Sequence, residues 1–408
     1  MSSLPASSID PGAVGERLVE ARKARGMTQA QVAEVLGVAR TTVTAMEQGE
    51  RRPRAGELIR LAELYGRQVG ELTRPRSPQR LDSFVIQFRT ARGGDRETDT
   101  KRDEDAATFQ GLCEDYNELE RLLEAPLPRR YPVPYDIATT DPERAAAEVA
   151  GSERNRLGLG DGSIGDIWSV LEAEVGLRIF APRFASRAAG MFVYAEAWGG
   201  CIAVNGNHPE ERRRWTVAHE YAHFLVDRER PEITVLPSYR RVPEAERFAD
   251  AFARFFLMPE DGLARHFNAM KRAKSGPVTP ADVLALCHRY QVSFSAMTLR
   301  LEELRLLPGG TWDKLRDSGF KPDAARGLVE VPRLVLELAT LPWRYQLLAV
   351  QAHERGLLSE EQLMRFLRSD RVGARRLVQQ LTELAPDYDA GAWHHVPLDL
   401  NAVLAGAS

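Results

Sequence analysis

Apolar side chains recur at helical spacing along most of this chain, and runs typical of strands are short and few. The strand-like runs lie at 177–180, 191–195 and 201–204, with an isolated one at 84–89. Helical patterns occupy much of the remaining sequence. The pattern therefore predicts a mainly α fold with a small sheet, that is, an α+β protein.

Breaks in these patterns divide the 408 residues into segments. A chain of this length is expected to hold two or three domains. Residues 74–105 are rich in Arg, Pro, Asp, Thr and Gly, which is typical of a linker. The predicted segments are a five-helix domain at 10–73, a linker with a strand and a helix at 74–130, a domain that contains the sheet at 131–306, and a helical C-terminal module at 307–408.

One apolar helical run, 215–226, carries two histidines and a glutamate in an HExxH arrangement. Positions i and i+4 share a helix face, so His219 and His223 project to the same side. That spacing lets two imidazole nitrogens bind one Zn²⁺. Glu220 lies beside the first histidine and can act as general base on a zinc-bound water.

A catalytic zinc needs a third protein ligand and one open position. The next helix pattern, 243–259, carries Glu246 and Asp250 one turn apart on one face. One carboxylate can bind zinc, and the other can accept the free N–H of a zinc-binding histidine and fix its tautomer. Glu244 is an alternative for the ligand position.

HEYAH at 219–223, followed by Glu246-x-x-Ala249-Asp250 and Leu257-Met258-Pro259, resembles the ImmA/IrrE family of metallopeptidases over roughly 140–306. The resemblance implies a zincin-like peptidase domain, a zinc metallo-endopeptidase. His219, His223 and Glu246 would hold zinc, and Glu220 would be the catalytic base. In that arrangement one sheet edge lies beside the zinc and can accept an extended peptide; 190–194 is the candidate.

Charge is distributed unevenly along the chain. The formal net charge is −3, yet residues 1–80 hold 13 Arg+Lys against 9 Asp+Glu. This N-terminal segment, here called the head, is therefore basic and the rest of the chain is acidic. The difference suggests that only the head binds nucleic acid. Three scattered cysteines argue against a disulfide framework, and neither a membrane span nor a signal peptide is recognisable. We expect a cytoplasmic, nucleoid-associated protein that does not bind membranes.

The head carries Thr28-Gln29-x3-Ala33-x3-Gly37-Val38-x4-Val43-x3-Glu47-x-Gly49, which resembles the XRE/Cro-repressor class of helix-turn-helix domains. The resemblance implies that its third helix enters the major groove of a double-stranded DNA operator, with a homodimer on an inverted repeat. The expected DNA contacts are bases for Arg40, Thr41 and Thr44, phosphate or a base for Gln29, and phosphates for Arg51, Arg52 and Arg54.

Two functional hypotheses follow. In the first, the protein is a transcriptional regulator whose zinc peptidase cleaves a repressor or antitoxin in a stress, phage or toxin–antitoxin response. In the second, it is a non-proteolytic transcription factor, and the peptidase-like domain serves as a ligand sensor or dimerisation platform. Measurement of the zinc content, together with a test for cleavage of a substrate, distinguishes the two hypotheses.

Overall fold

The computed structural model describes residues 11–25, 27–65, 69, 72, 96–137, 140–196, 198–228, 244–274, 276–322 and 340–383. Its contacts divide the chain into two compact units, residues 1–82 and 83–408. The strand predicted at 84–89 lies outside the described residues.

The first unit is built from short helices that end at glycines or turns. Thr28 and Gln31 form a reciprocal capping box at the start of the second helix, and Gly37, with a φ of 69°, ends it. Leu18, Val43 and Leu61 come from different helices and are buried in one core. The helices are α1 (Pro11–Ala24), α2 (Gln29–Leu36), α3 (Arg40–Glu47) and α4 (Ala55–Tyr65).

The second unit is mainly helical with one small sheet, as predicted. Its helices are α5 (Arg96–Leu122), α6 (Pro142–Arg156), α7 (Ile167–Val170), which continues as a π-helical turn at Leu171–Val175, α8 (Glu210–Asp227), α9 (Glu244–Leu257), α10 (Glu260–Ala273), α11 (Pro280–Tyr290), α12 (Phe294–Glu303), α13 (Thr311–Asp317), α14 (Trp343–Glu354), α15 (Glu360–Leu367) and α16 (Arg371–Glu383). Its strands are β1 (Arg178–Phe180), β2 (Gly190–Ala195) and β3 (Gly199–Val204).

Helix α5 starts earlier than its apolar pattern indicates. The sequence predicts a helix from Asp105, whereas the helix begins at Arg96. The first residues of α5 are polar or charged, so they give no amphipathic signal. Backbone hydrogen bonding continues through them without an apolar face.

The sheet has the order β1-β3-β2. The central strand β3 runs parallel to β1 and antiparallel to β2, with Ile202 opposite Ile179 on one side and Phe192 on the other. Every residue of β3 is buried. A strand buried on both faces reads as a continuous apolar run, which is why 201–204 shows no polar alternation.

Each face of the sheet packs against a different set of helices. Because successive side chains alternate between faces, Ile202 joins a core with α8 and α9, whereas Cys201 joins a core with α5 and α14. The first core positions the candidate site. Within the described ranges, no helix is both long and apolar enough to cross a membrane.

Candidate metal centre and nucleic-acid interface

Helix α8 presents two histidines on the face that looks toward α9. His219 and His223 are one turn apart, and their Nε2 atoms lie 3.2 Å from each other. Both side chains are almost fully buried. The ring of His223 stacks on Phe192 of β2, so the sheet helps to fix its orientation.

Helix α9 brings a carboxylate to these nitrogens. Its apolar face packs Phe252 and Phe256 against Tyr221 of α8, with ring centroids 6.0 Å away in each case. This packing sets the N-terminal turn of α9 beside the histidines. Glu246 Oε2 lies 3.4 Å from His219 Nε2, and Glu246 Oε1 lies 3.5 Å from His223 Nε2.

The two imidazole nitrogens and the Glu246 carboxylate lie close to the spacing that a tetrahedral zinc requires. Donor atoms about 2.0–2.1 Å from a tetrahedral ion lie about 3.4 Å from one another. The two Nε2 atoms lie 3.2 Å apart, and each lies 3.4 or 3.5 Å from its nearer oxygen of the Glu246 carboxylate, Oε2 for His219 and Oε1 for His223. One donor atom from each residue lies within 4.8 Å of the other two. The structure thus brings these three predicted residues together as a group that could hold a metal ion, whereas the alternative, Glu244, is exposed and outside the group.

Asp250 follows Glu246 by one helical turn and contacts His219 at its other ring nitrogen. Its Oδ1 lies 2.9 Å from Nδ1 of His219, on the opposite side of the ring from Glu246. A carboxylate in this position accepts the Nδ1–H and leaves Nε2 free for a metal. This is the arrangement that the sequence predicts for Asp250.

The two histidines differ in pKa because their surroundings differ. Burial alone would lower the pKa of His219, but its hydrogen bond with Asp250 and the nearby Glu246 raise it to about 10. Burial and the charge on His219 lower the pKa of His223 to about 4. These opposite shifts favour one extra proton on His219 beside the carboxylates, and a cation bound at Nε2 would displace it.

Glu220 is fully buried under the beginning of β2. A Cβ placed on Gly190 would lie 2.6 Å from Glu220 Oε1 and 2.5 Å from Cγ2 of Thr216. A side chain at position 190 would therefore collide with the carboxylate. The sequence places Gly190 at the start of the candidate edge strand, but the contact with Glu220 depends on how β2 crosses α8, which no local pattern encodes.

In the part of the chain that the structure describes, the backbone of β2 pairs with a strand on one side only, and its residues 190–193 are buried. Asn205 N donates to Ala189 O at 2.9 Å, so Gly190 and Phe192 occupy the alternate pairs that do not hydrogen-bond to β3. Their N–H and C=O groups point away from the sheet. Among the described residues, no strand pairs with this edge.

In the first unit, α3 exposes its N-terminal end. Arg40 and Thr41 are exposed. Thr44 is half-buried, and its hydroxyl donates to Gln29 Oε1 at 3.2 Å. Gln29 Nε2 in turn donates to Glu47 Oε2 at 2.8 Å. The predicted contacts Gln29 and Thr44 are thus joined to each other.

The three arginines after α3 differ in their surroundings. Arg51 forms an ion pair with Glu57 at 2.8 Å, whereas Arg52 and Arg54 are exposed. The Arg51 guanidinium is therefore held on the protein, and the other two are open to solvent.

Comparison with known protein families finds two matches. A helix-turn-helix family model matches residues 18–72, and a model described as IrrE N-terminal-like domain matches residues 172–302. The chain is therefore a fusion of an XRE-type helix-turn-helix domain and an ImmA/IrrE-like domain. The second match includes α8 and α9, so the group formed by His219, His223 and Glu246 belongs to the IrrE-like domain.

Other comparisons add little. Comparison with curated proteins finds no match. Among solved structures, the crystal structure of ComR from Streptococcus suis aligns at 12% identity over 92% of this chain and 94% of that chain, with a TM-score of 0.15. The assignment of both domains rests on the family matches and on the motifs they include.

Proposed function

We propose that this protein is a DNA-binding transcriptional regulator whose IrrE-like domain is a zinc-dependent endopeptidase. One observation carries the proposal. The Nε2 atoms of His219 and His223 lie 3.2 Å apart, and each lies within 3.5 Å of one oxygen of the Glu246 carboxylate, a grouping that could hold one zinc ion, with Glu220 buried beside it. A helix-turn-helix domain on the same chain supports a role at DNA.

Each residue of the centre has a separate task. His219, His223 and Glu246 would hold the ion, and Asp250 would keep His219 in the tautomer whose Nε2 is free. When bound, Zn²⁺ supplies a Lewis acid that lowers the pKa of a coordinated water. Glu220 would accept the proton of that water and later deliver it to the leaving amine.

The outer edge of β2, which has no strand partner among the described residues, is the place we assign to the substrate. An extended segment that pairs with the outward N–H and C=O groups of Gly190 and Phe192 would add a strand to the sheet. Gly190 lies against Glu220, so a peptide on this edge passes close to the base. This favours an endopeptidase that takes an exposed, extended protein segment.

The head would bind an operator with an inverted repeat as a homodimer. Arg40 and Thr41 are exposed on α3 and suit contacts with base edges. Arg52 and Arg54 suit phosphate contacts, with Arg51 held nearby by Glu57. Gln29 and Thr44 would contact DNA as a hydrogen-bonded pair.

Joining the two activities in one chain fits a regulator that cleaves another regulator. We propose a repressor or antitoxin as the substrate, in a stress, phage or toxin–antitoxin response. The test is incubation of the full chain with the proteins encoded beside its gene, with zinc present and after chelation, followed by mass spectrometry of the products.

Zinc-dependent cleavage of one of these proteins is the expected result. The control is Glu220→Gln, which should keep zinc and lose cleavage, by about 10²–10⁴-fold, because an amide cannot accept the proton. Undiminished cleavage by this variant would exclude Glu220 as the base. Stoichiometric zinc without cleavage of any candidate would favour the non-proteolytic transcription factor.

A further inference from the structure

Thr44 lies on the same face of α3 as Arg40, one helical turn further along. Its side chain is half-buried, and its hydroxyl is the polar group that it can offer to a DNA base. A threonine hydroxyl has one hydrogen to donate and two lone pairs that accept. Which of these Thr44 can offer to DNA depends on what its hydrogen already contacts within the protein.

Two oxygens of the protein lie within hydrogen-bond distance of the Thr44 hydroxyl. They are the backbone carbonyl oxygen of Arg40, at 3.1 Å, and the side-chain oxygen of Gln29, at 3.2 Å. Both are carbonyl oxygens, which accept hydrogen bonds and cannot donate them. The single hydrogen of Thr44 is therefore engaged by one or both of them, and the group that the hydroxyl presents outward is a lone pair.

A buried acidic side chain fixes which end of the Gln29 amide faces Thr44. The side chain of Glu47 is 3% exposed and accepts two N–H groups from Arg22, at 2.6 and 3.0 Å. Its Oε2 lies 2.8 Å from the amide of Gln29. Because both Glu47 oxygens act as acceptors, the amide atom that faces them has to be the nitrogen, and the amide oxygen is turned toward Thr44.

The opposite orientation of this amide would change what Thr44 offers. A Gln29 N–H would then donate to the Thr44 oxygen and occupy one of its lone pairs. It would also place the amide oxygen against the Glu47 carboxylate, where two acceptors repel each other. The buried pair of Arg22 and Glu47 therefore sets the hydrogen-bond polarity of Thr44 through Gln29.

We propose that Thr44 is a specificity-determining residue that contacts DNA as a hydrogen-bond acceptor and therefore selects an exocyclic amino group, N6 of adenine or N4 of cytosine, in the major groove. These amino groups are the donors that base edges present there, whereas guanine O6 and N7, thymine O4 and adenine N7 only accept. The inference rests on the proposed DNA-binding function of the head, since it names the base chemistry that one of its residues recognises.

The test removes base groups one at a time from a duplex that carries the site protected by the full chain in the gene's own upstream DNA. Purine in place of adenine removes N6, 2-pyrimidinone in place of cytosine removes N4, and 7-deazapurines remove the N7 acceptor. One amino deletion in each half-site should weaken binding of the full chain by roughly twofold to tenfold, the value of one neutral hydrogen bond. Fluorescence anisotropy measures the affinity for each duplex.

Protein variants separate this contact from the weakened base pair that each deletion also causes. Thr44→Val keeps the shape and a methyl group but lacks the hydroxyl, so it should lose the sensitivity to that amino group. Thr44→Ser keeps the hydroxyl and should retain the sensitivity. Thr42→Val is the matched control, because Thr42 lies on the same helix outside the predicted contact set and should also retain it.

Equal sensitivity of Thr44→Val and the unmodified chain to every amino deletion would overturn the inference. So would a sensitivity to a 7-deazapurine that Thr44→Val alone loses, because the hydroxyl would then be a donor. If Thr44→Val is less stable than the unmodified chain, Thr44→Ala supplies a second variant without the hydroxyl. Failure of the DNA-binding function would look different: the unmodified chain would show no affinity for the upstream DNA, which would remove that function and this inference together.

Discussion

At the scale of single residues, His223 is the most direct test of the metal centre. Its Nε2 lies 3.2 Å from His219 Nε2 and 3.5 Å from Glu246 Oε1. His223→Ala removes one of three donors, so we expect zinc content to fall from about one per chain to near zero. Metal analysis after dialysis measures this.

The control for that variant is His288→Ala. His288 is exposed on α11, and its loss should leave zinc content unchanged. Far-ultraviolet circular dichroism should show both variants folded. Full zinc occupancy in His223→Ala would remove His223 from the ligand set.

Much of this residue-level arrangement could be predicted from spacing. The intervals 219–223 and 246–250 each span one helical turn, so a helix alone sets which side chains share a face. The distance between the two helices could not be predicted in this way. That distance depends on the packing of Phe252 and Phe256 against Tyr221. The contact between Gly190 and Glu220 depends on where β2 lies relative to α8.

At the scale of elements, the close approach of β2 to α8 depends on Gly190. Gly190→Ala places a Cβ within 2.6 Å of Glu220 Oε1 and 2.5 Å of Thr216 Cγ2, so the strand or the carboxylate must move. Overpacking of this kind costs about 1–3 kcal/mol of stability. We expect zinc to stay bound while cleavage falls at least about tenfold, since the displaced group is the base.

A matched glycine controls for the added methyl group. Gly151 lies on α6, where a Cβ would meet no atom within 4 Å. Gly151→Ala should leave cleavage unchanged and raise stability by about 0.5–1 kcal/mol, because alanine is the better helix former. Thermal unfolding and peptide cleavage measure both variants. Full activity in Gly190→Ala would show that β2 can move without displacing the base.

A separate prediction concerns how α3 and the residues after it bind DNA. Arg40 is exposed at the N-terminus of α3, where we propose that base edges are contacted, and Arg52 is exposed beyond its end. Arg40→Ala should cost roughly 1–3 kcal/mol and relax preference at one base position. Arg52→Ala should instead weaken all sequences about equally and reduce the salt dependence.

Binding titrations on an operator, a set of single-base variants of that operator and an unrelated duplex distinguish the two effects. Arg51→Ala is a useful third variant, because Arg51 is already paired with Glu57 at 2.8 Å. A uniform loss for Arg40→Ala, with no change in base preference, would place Arg40 among the phosphate contacts.

At the scale of the whole molecule, the sequence did not indicate what covers the second face of the sheet. The guanidinium groups of Arg178 and Arg344 lie 5.4 and 5.5 Å from the ring centre of Tyr116 on α5. Glu120 accepts hydrogen bonds from both arginines. Arg178 and Arg344 lie far from Glu120 in the sequence, so no local pattern predicts these contacts. A continuously apolar strand also does not indicate which helix packs on each of its faces.

These contacts bear on the organisation of the second unit. The boundaries predicted at 130 and 306 remain predictions. Because α5 and α14 share a buried core with the sheet, we propose that the predicted linker helix and C-terminal module fold together with the IrrE-like domain. The head is a separate contact unit, residues 1–82.

The last prediction follows from that separation. The excess of basic residues lies in the head, and the candidate zinc centre lies in the other unit. Residues 1–82 alone should therefore bind the gene's own upstream DNA with a steep salt dependence. They should bind less tightly than the full chain if the full chain dimerises, because two half-sites are then engaged together. Full-length Glu220→Gln should bind this DNA as the unmodified chain does.

Fluorescence anisotropy with labelled upstream DNA at several salt concentrations measures all three proteins. Weakened binding by Glu220→Gln would mean that the zinc centre and the head are coupled. If neither residues 1–82 nor the full chain shows affinity for this DNA, the head binds protein instead. The molecule would then be a peptidase with an adaptor domain, and the cleavage test would stand without a regulatory role at the operator.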